Sequence, residues 1–74
     1  MSKDASNIFG RRLNQARLIK GISMEELGQS VQPSVSRQAI NKYEKGQSMP
    51  DSRMLISLGR VLGVKPDYFF RPFT

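Results

Sequence analysis

Residues 23–46 read SMEELGQSVQPSVSRQAINKYEKG and contain two helix-sized segments joined by a connection that includes a proline. The first segment opens with a Ser-x-x-Glu spacing at Ser23 and Glu26. In this spacing each side chain accepts a hydrogen bond from the backbone N–H of the other residue, which is the capping box of a helix N-terminus. The pattern predicts a helix over residues 24–31 with its apolar side chains turned toward a core.

The second segment follows the connection and carries most of the polar side chains of the stretch. Pro33 disfavours helical geometry at the preceding residue, Ser36 is the next good N-cap and Gly46 is a natural stop. These signals predict a helix between Ser36 and Gly46. Its inward face is formed by Ala39, Ile40 and Tyr43, which recur at helical spacing. Its outward face carries side chains that have no evident structural role, namely Arg37, Gln38, Asn41 and Lys42.

Helix-sized segments also flank these two helices. Residues 8–20 form the first segment, whose one face carries Phe9, Leu13 and Ala16. After the central stretch, Asp51 is the N-cap of a segment that ends before Gly63. The apolar stripe of that segment consists of Leu55, Leu58 and Leu62. In both segments the apolar residues lie on one helical face, which can pack against a shared core.

A last short helix is predicted to start at Pro66 and to contain residues 67–70. No stretch alternates apolar and polar residues in the way that a half-buried strand requires. The sequence therefore predicts an all-α fold, a compact five-helix domain over residues 8–70. Residues 1–7 are predicted to be a flexible N-terminus, and residues 71–74 a C-terminal tail or part of a linker.

The composition restricts the function. The 74 residues can form one small core, and the formal charge of +6 favours an anionic partner such as nucleic acid. The chain has neither cysteine nor histidine, so we expect no metal site, no cofactor and no catalytic residues. No apolar run approaches the roughly 20 residues that span a bilayer. We therefore expect a cytoplasmic protein that does not span a membrane and is not an enzyme.

Two short helices joined by a turn, the second of them cationic, are typical of the helix-turn-helix arrangement. The runs GISMEEL, SRQAINKYEKG and MPDSRMLISLGRVLGVKPDYFF resemble the Xre family of bacterial and phage repressor-type DNA-binding domains. The resemblance covers about residues 9–70. It implies a transcriptional regulator that binds double-stranded DNA, located with the nucleoid, with its third helix in the major groove. It also implies that Arg37, Gln38 and Lys42 read bases, and the outward position of Asn41 adds that residue to the set.

The resemblance implies two further groups of site residues. Arg17 and Glu44 are expected to form a structural ion pair between the first and third helices. Contacts to DNA phosphate are expected from Ser36, Lys45, Gln47, Asn14 and Arg53. In the family the residue after the cap of the second helix is often a glutamine that contacts phosphate. Met24 stands here instead and offers no such donor, so we expect at most a backbone amide contact at this point.

The connection between the two central helices departs from the family pattern. The usual connection is a short Leu-Gly-Val-Ser, whereas residues 31–36, VQPSVS, are longer by two and lack glycine. A tight turn generally needs a residue that tolerates positive φ, so we expect a wider loop here. We expect Val35 to remain turned toward the core.

Other functions stay open on the sequence alone. The tail YFFRPFT places Tyr68, Phe69, Phe70 and Phe73 close together, which favours a protein-interaction or dimerisation surface as the alternative function. A membrane-surface function of the basic first helix, with Leu18 and Ile19 exposed, is a weaker alternative. The run from Met49 to the C-terminus resembles the N-terminal domain of longer regulators in which a zinc metallopeptidase-like domain follows. A homodimer on a two-fold operator is expected, because one module of this size reads a single half-site.

Overall fold

A computed structural model of the chain describes residues 5–72, with side chains from residue 6 onward. It contains four α-helices, α1 (Ala5–Lys20), α2 (Met24–Ser30), α3 (Arg37–Glu44) and α4 (Ser52–Leu62), followed by a 3-10 helix at Pro66–Phe70. No strand occurs between residues 5 and 72. The all-α prediction is confirmed. The fifth predicted helix is a 3-10 helix, in which the N–H of Tyr68 donates to the carbonyl of Lys65 at 2.9 Å, an i to i−3 bond.

The predicted N-caps of three helices are confirmed. Ser23 and Glu26 exchange both bonds of the capping box, at 2.9 Å and 3.0 Å. The Ser36 hydroxyl accepts a hydrogen bond from the N–H of Ala39 at 3.1 Å. The Asp51 carboxylate accepts one from the N–H of Met54 at 2.9 Å. These side chains replace the missing intrahelical partners of the first helical turns, so each helix begins where its capping residue stands.

The start of α1 differs from the prediction. The helix begins at Ala5 rather than at residue 8, so residues 5–7 of the predicted N-terminal segment are helical. The extra turn packs on the α3–α4 connection: a Cβ built on Gly46 would lie 2.7 Å from the side-chain oxygen of Asn7. A tertiary contact of this kind stabilises the added helical turn. The other predicted N-terminal residues, 1–4, lie outside the described part of the chain.

All four helices and the 3-10 helix contribute to one apolar core. Phe9 stands at its centre, with its ring edge-on to Phe69 at 5.3 Å and to Tyr43 at 6.3 Å between centroids. On α4 the buried stripe includes Met54, while Leu55, which was predicted to be buried, is only partly so. The buried apolar residues are Phe9, Leu13, Ala16, Leu27, Val31, Ile40, Met54, Leu58, Leu62 and Phe69.

Two glycines set how closely the elements around α3 approach each other. At Gly10 of α1, an added Cβ would lie 2.5 Å from the carbonyl oxygen of Glu44, so the end of α3 crosses α1 at backbone contact. At Gly28 of α2, an added Cβ would overlap the carbonyl oxygen of Val35. The Val35 N–H also donates to the Gly28 carbonyl at 2.9 Å. Both ends of α3 are therefore held against neighbouring backbone.

The long connection between α2 and α3 is anchored along its length. Its Gln32 N–H donates to the Ser57 hydroxyl of α4 at 2.9 Å, and the peptide bond between Gln32 and Pro33 is cis. Val31 is fully buried, and Val35 is partly buried against the core, in accordance with the wider loop that we predicted. The added length is thus taken up by a loop that is exposed at residues 32–34 and fixed on both sides.

Candidate functional site

The outward face of α3 presents polar side chains on a rigid support. Arg37, Gln38 and Lys42 are exposed, whereas Asn41 is half-buried. On the opposite face Ile40 is fully buried. The outward side chains therefore extend into solvent from a helix whose own position is fixed by the core.

A buried ion pair holds the C-terminal end of α3. The Nε atom of Arg17 lies 2.6 Å from Oε2 of Glu44, and the two side chains are only 10% and 5% exposed. The Arg17 guanidinium also donates to Oε1 of Glu44 at 3.2 Å and to the Ile22 carbonyl at 3.0 Å. The hydrogen bond to Glu44 raises the pKa of Arg17, and burial opposes part of that rise. One guanidinium thus joins α1, α3 and the residues that lead into α2.

Asn14 belongs to this buried network. Its amide nitrogen donates to Oε1 of Glu44 at 2.9 Å, so the carboxylate that pairs with Arg17 receives three hydrogen bonds. The sequence prediction assigned Asn14 to phosphate only. Its position three residues before Arg17, on the same face of a helix, is the signal that could have indicated a shared partner.

A groove of about 550 Å³ lies between α1 and α3, beside the start of α2. The structure brings together here Asn14, Asn41 and Lys45 of the predicted site, along with Arg11 and Met24. Glu44 lies at the same groove, but its charge is compensated by Arg17. The groove therefore combines cationic and amide groups with the apolar side chains of Leu18 and Met24, around a carboxylate that Arg17 neutralises.

A second concavity, of about 380 Å³, lies between α2 and the start of α3. Arg37 and Gln38 line it together with the α2 side chains Glu25 and Gln29. Ser36 lies there too, and its hydroxyl still has a hydrogen to donate because its oxygen only accepts from Ala39. The sequence prediction did not include Glu25 or Gln29, since their position beside α3 depends on the packing of two helices.

Two predicted phosphate residues lie away from both concavities. Gln47 is exposed in the α3–α4 connection, and its backbone N–H donates to the Lys42 carbonyl at 2.9 Å. Arg53 is exposed in the first turn of α4. Neither side chain touches the outward face of α3 through a hydrogen bond that the structure describes.

The described C-terminal aromatic residues differ in burial. Phe69 is fully buried, whereas Phe70 remains 36% exposed although its ring stacks on Phe9 at 6.1 Å between centroids. Arg12 of α1 donates to the carbonyls of Arg71 and Pro72, both at 3.0 Å. This attachment was not predicted. It holds Arg71 and Pro72 against α1. With Phe69 buried, Phe70 is the one exposed aromatic side chain among the described residues, which does not favour the interaction alternative; Phe73 lies outside the described residues.

No helix within the described part of the chain combines the length and the apolar character needed to cross a membrane.

The comparisons with known proteins agree with this architecture. A family model described as helix-turn-helix matches residues 13–69. The SPbeta prophage-derived uncharacterized HTH-type transcriptional regulator YonR of Bacillus subtilis is 34% identical over 64 residues, covering 86% of this chain and 57% of that protein. The chain thus spans little more than half the length of this relative.

Two solved structures are similar along nearly their whole length. The P22 c2 repressor protein, crystallised in complex with the synthetic operator 9T, has 30% sequence identity and a TM-score of 0.78, over 85% of this chain and 92% of the repressor chain. The restriction-modification controller protein C.AhdI from Aeromonas hydrophila has 28% identity and a TM-score of 0.78, over 86% of this chain and 94% of its own.

Proposed function

The chain belongs to the Xre-type helix-turn-helix family, and we propose on this premise that it binds double-stranded DNA sequence-specifically as a repressor-like transcriptional regulator. The observation that carries the proposal is the outward face of α3, whose polar side chains extend from a helix that the core and a buried ion pair hold in place. The P22 c2 repressor, which has this fold, was crystallised with an operator. The proposed action is binding alone and involves no catalytic step.

Base readout is assigned to Arg37, Gln38, Asn41 and Lys42 with α3 in the major groove. The N-terminal residues of such a helix are the ones that contact base edges. Arginine pairs through two hydrogen bonds with guanine and glutamine with adenine, each pair discriminating by about 1–3 kcal/mol. Arg37 and Gln38 occupy the first turn of α3 and are both exposed, which supports this assignment.

Phosphate binding is assigned to residues around this helix. The net charge of +6 favours DNA of any sequence, and the groove between α1 and α3 adds a local concentration of donors. Ser36 lies at the positive end of α3, where phosphate is favoured. Asn14 keeps one amide N–H beyond its bond to Glu44. The proposed phosphate residues are Ser36, Lys45, Gln47, Asn14 and Arg53.

We further propose that the protein acts as a homodimer on a two-fold operator and is located with the nucleoid of a bacterial or phage-infected cell. A single α3 reads one half-site, and pairing two modules adds both affinity and specificity.

Salt titration of duplex binding tests the proposal. Wild-type chain is expected to bind a duplex with an affinity that falls linearly on logarithmic axes as salt rises, because phosphate contacts release counterions. Lys45→Ala is expected to weaken binding to every duplex by a similar factor and to reduce the slope by about one unit. Fluorescence anisotropy measures both quantities. Absence of salt-dependent binding by the wild type would overturn the proposal and favour a protein-interaction function.

A further inference from the structure

Glu25 occupies a position that the proposed function does not explain. Among the described residues, Glu25 is the one acidic residue that lines the concavity between α2 and α3, and Arg37 and Gln38 line the same concavity. An exposed carboxylate at a DNA-binding surface repels phosphates, which weakens affinity. The neighbouring Glu26 has a structural role, because its carboxylate accepts the Ser23 N–H at 2.9 Å. Glu25 makes no such bond within the described residues, so its structural role is limited to the weak favourable interaction of its charge with the N-terminal end of α2.

We propose that Glu25 is a positioning residue that directs Arg37 to a base rather than to a phosphate, and so determines sequence specificity. The inference rests on the proposed function, since it concerns how α3 reads DNA. In the DNA-free chain no ion pair joins the two side chains between residues 5 and 72. Arg37 is therefore free to enter the groove, and its contact with Glu25 forms on docking.

The hydrogen-bonding capacity of arginine makes this arrangement feasible. A guanidinium has five N–H donors in a planar fork, and guanine uses two of them through its O6 and N7 atoms. A carboxylate placed beside the same side chain accepts a remaining donor without displacing the base. Glu25 and Arg37 line one concavity from different helices, so in the proposed complex the carboxylate reaches the guanidinium from the side of α2.

On unrelated DNA the same carboxylate acts against binding. Arg37 then has no matching guanine and turns to a phosphate, which leaves Glu25 uncompensated within a Debye length, about 10 Å, of the DNA backbone. Glu25 thus weakens non-specific binding more than specific binding. Glu25 therefore raises the ratio of specific to non-specific affinity.

The test compares two neighbouring glutamates with the same charge. Affinities are measured for a duplex carrying the site enriched from a random library and for a scrambled duplex of equal composition. Glu25→Gln is expected to tighten binding to the scrambled duplex and to lower the affinity ratio at least about threefold, a part of the discrimination of one bidentate pair. Glu26→Gln removes an equal charge and is expected to change both affinities by the same factor. Circular dichroism verifies that each variant is folded at the assay temperature.

A double substitution separates positioning from general electrostatics. In an Arg37→Ala background, Glu25→Gln is expected to leave the affinity ratio unchanged, because the residue it positions is absent. The inference would be overturned if wild type and Glu25→Gln had the same ratio of affinities for the enriched and scrambled duplexes. It would also be overturned if Glu25→Gln and Glu26→Gln lowered that ratio equally. Either result would leave the proposed function intact. If Glu25→Gln also lowered the affinity ratio in the Arg37→Ala background, that result would overturn the inference as well. Failure of the wild type to prefer any site would instead overturn the proposed function, and the inference with it.

Discussion

At the scale of single residues, Glu44 joins α3 to α1 through a buried ion pair. It is 5% exposed and receives hydrogen bonds from Arg17 and Asn14. Glu44→Gln leaves the buried guanidinium without a charged partner, so we expect the free energy of unfolding to fall by roughly 3 kcal/mol, the lower end of the range for a broken buried pair. Urea unfolding measures the change.

The exposed Glu25 offers a matched control for this substitution. Glu25→Gln removes the same charge and loses only a favourable interaction with the α2 dipole, so it should cost less than about 1 kcal/mol. If Glu44→Gln has the same unfolding midpoint as wild type, the ion pair does not brace α3.

Tyr43 predicts how stability depends on alkaline pH. Burial, and then the charge of Asp51, raise its pKa above the ordinary value of 10.0. Because the pKa of Tyr43 is higher in the folded state than in the unfolded state, the neutral hydroxyl contributes fully to stability below pH 10.0. This contribution is lost as the pH rises through the pKa of the folded state. Tyr43→Phe keeps the ring beside Phe9 and removes the titrating hydroxyl.

We therefore expect wild type to lose more stability than Tyr43→Phe between neutral pH and about pH 11, as measured by urea midpoints. All other ionisable groups are the same in both chains, so the difference isolates Tyr43. Parallel curves for the two chains would show that this hydroxyl is not coupled to folding.

At the scale of elements, the close packing of α2 on the connection to α3 fixes the start of the readout helix. Gly28→Ala places a methyl group against the Val35 carbonyl, so we expect a loss of about 1–3 kcal/mol in the free energy of unfolding, as for other overpacked sites. Gln29→Ala is the control, because it also adds an alanine to α2 but at an exposed position. Equal midpoints for the two variants would mean that the connection moves away at little cost.

Several element boundaries could be predicted because their causes are local. Ser23, Ser36 and Asp51 each cap a helix through atoms within three residues, which a sequence pattern displays directly. The added first turn of α1 lies against Gly46, a contact between residues distant in sequence that spacing does not display. The 3-10 form of the last helix reflects its short length behind Pro66, where the helical pattern alone does not decide between helix types.

At the scale of the whole molecule, the helices form a frame that supports α3 from both ends. The outward face of α3 could be predicted from periodicity, since Ile40 and Tyr43 define the inward side. The bond between Asn14 and Glu44, the attachment of the C-terminal residues by Arg12 and the position of Glu25 beside Arg37 could not. Each of these brings together residues from different elements, and single-sequence spacing carries no information on such proximity.

The central claim is that the outward face of α3 reads bases, and selection from a random duplex library tests it most directly. Wild type, Arg37→Ala and Gln38→Ala are each used for enrichment, with Lys45→Ala as the control for a phosphate contact. The wild type is expected to enrich a defined site, and each α3 variant to lose preference at a base pair where discrimination is about 1–3 kcal/mol. Lys45→Ala should enrich the wild-type site with lower affinity. Identical enriched sites for wild type, Arg37→Ala and Gln38→Ala would contradict the claim.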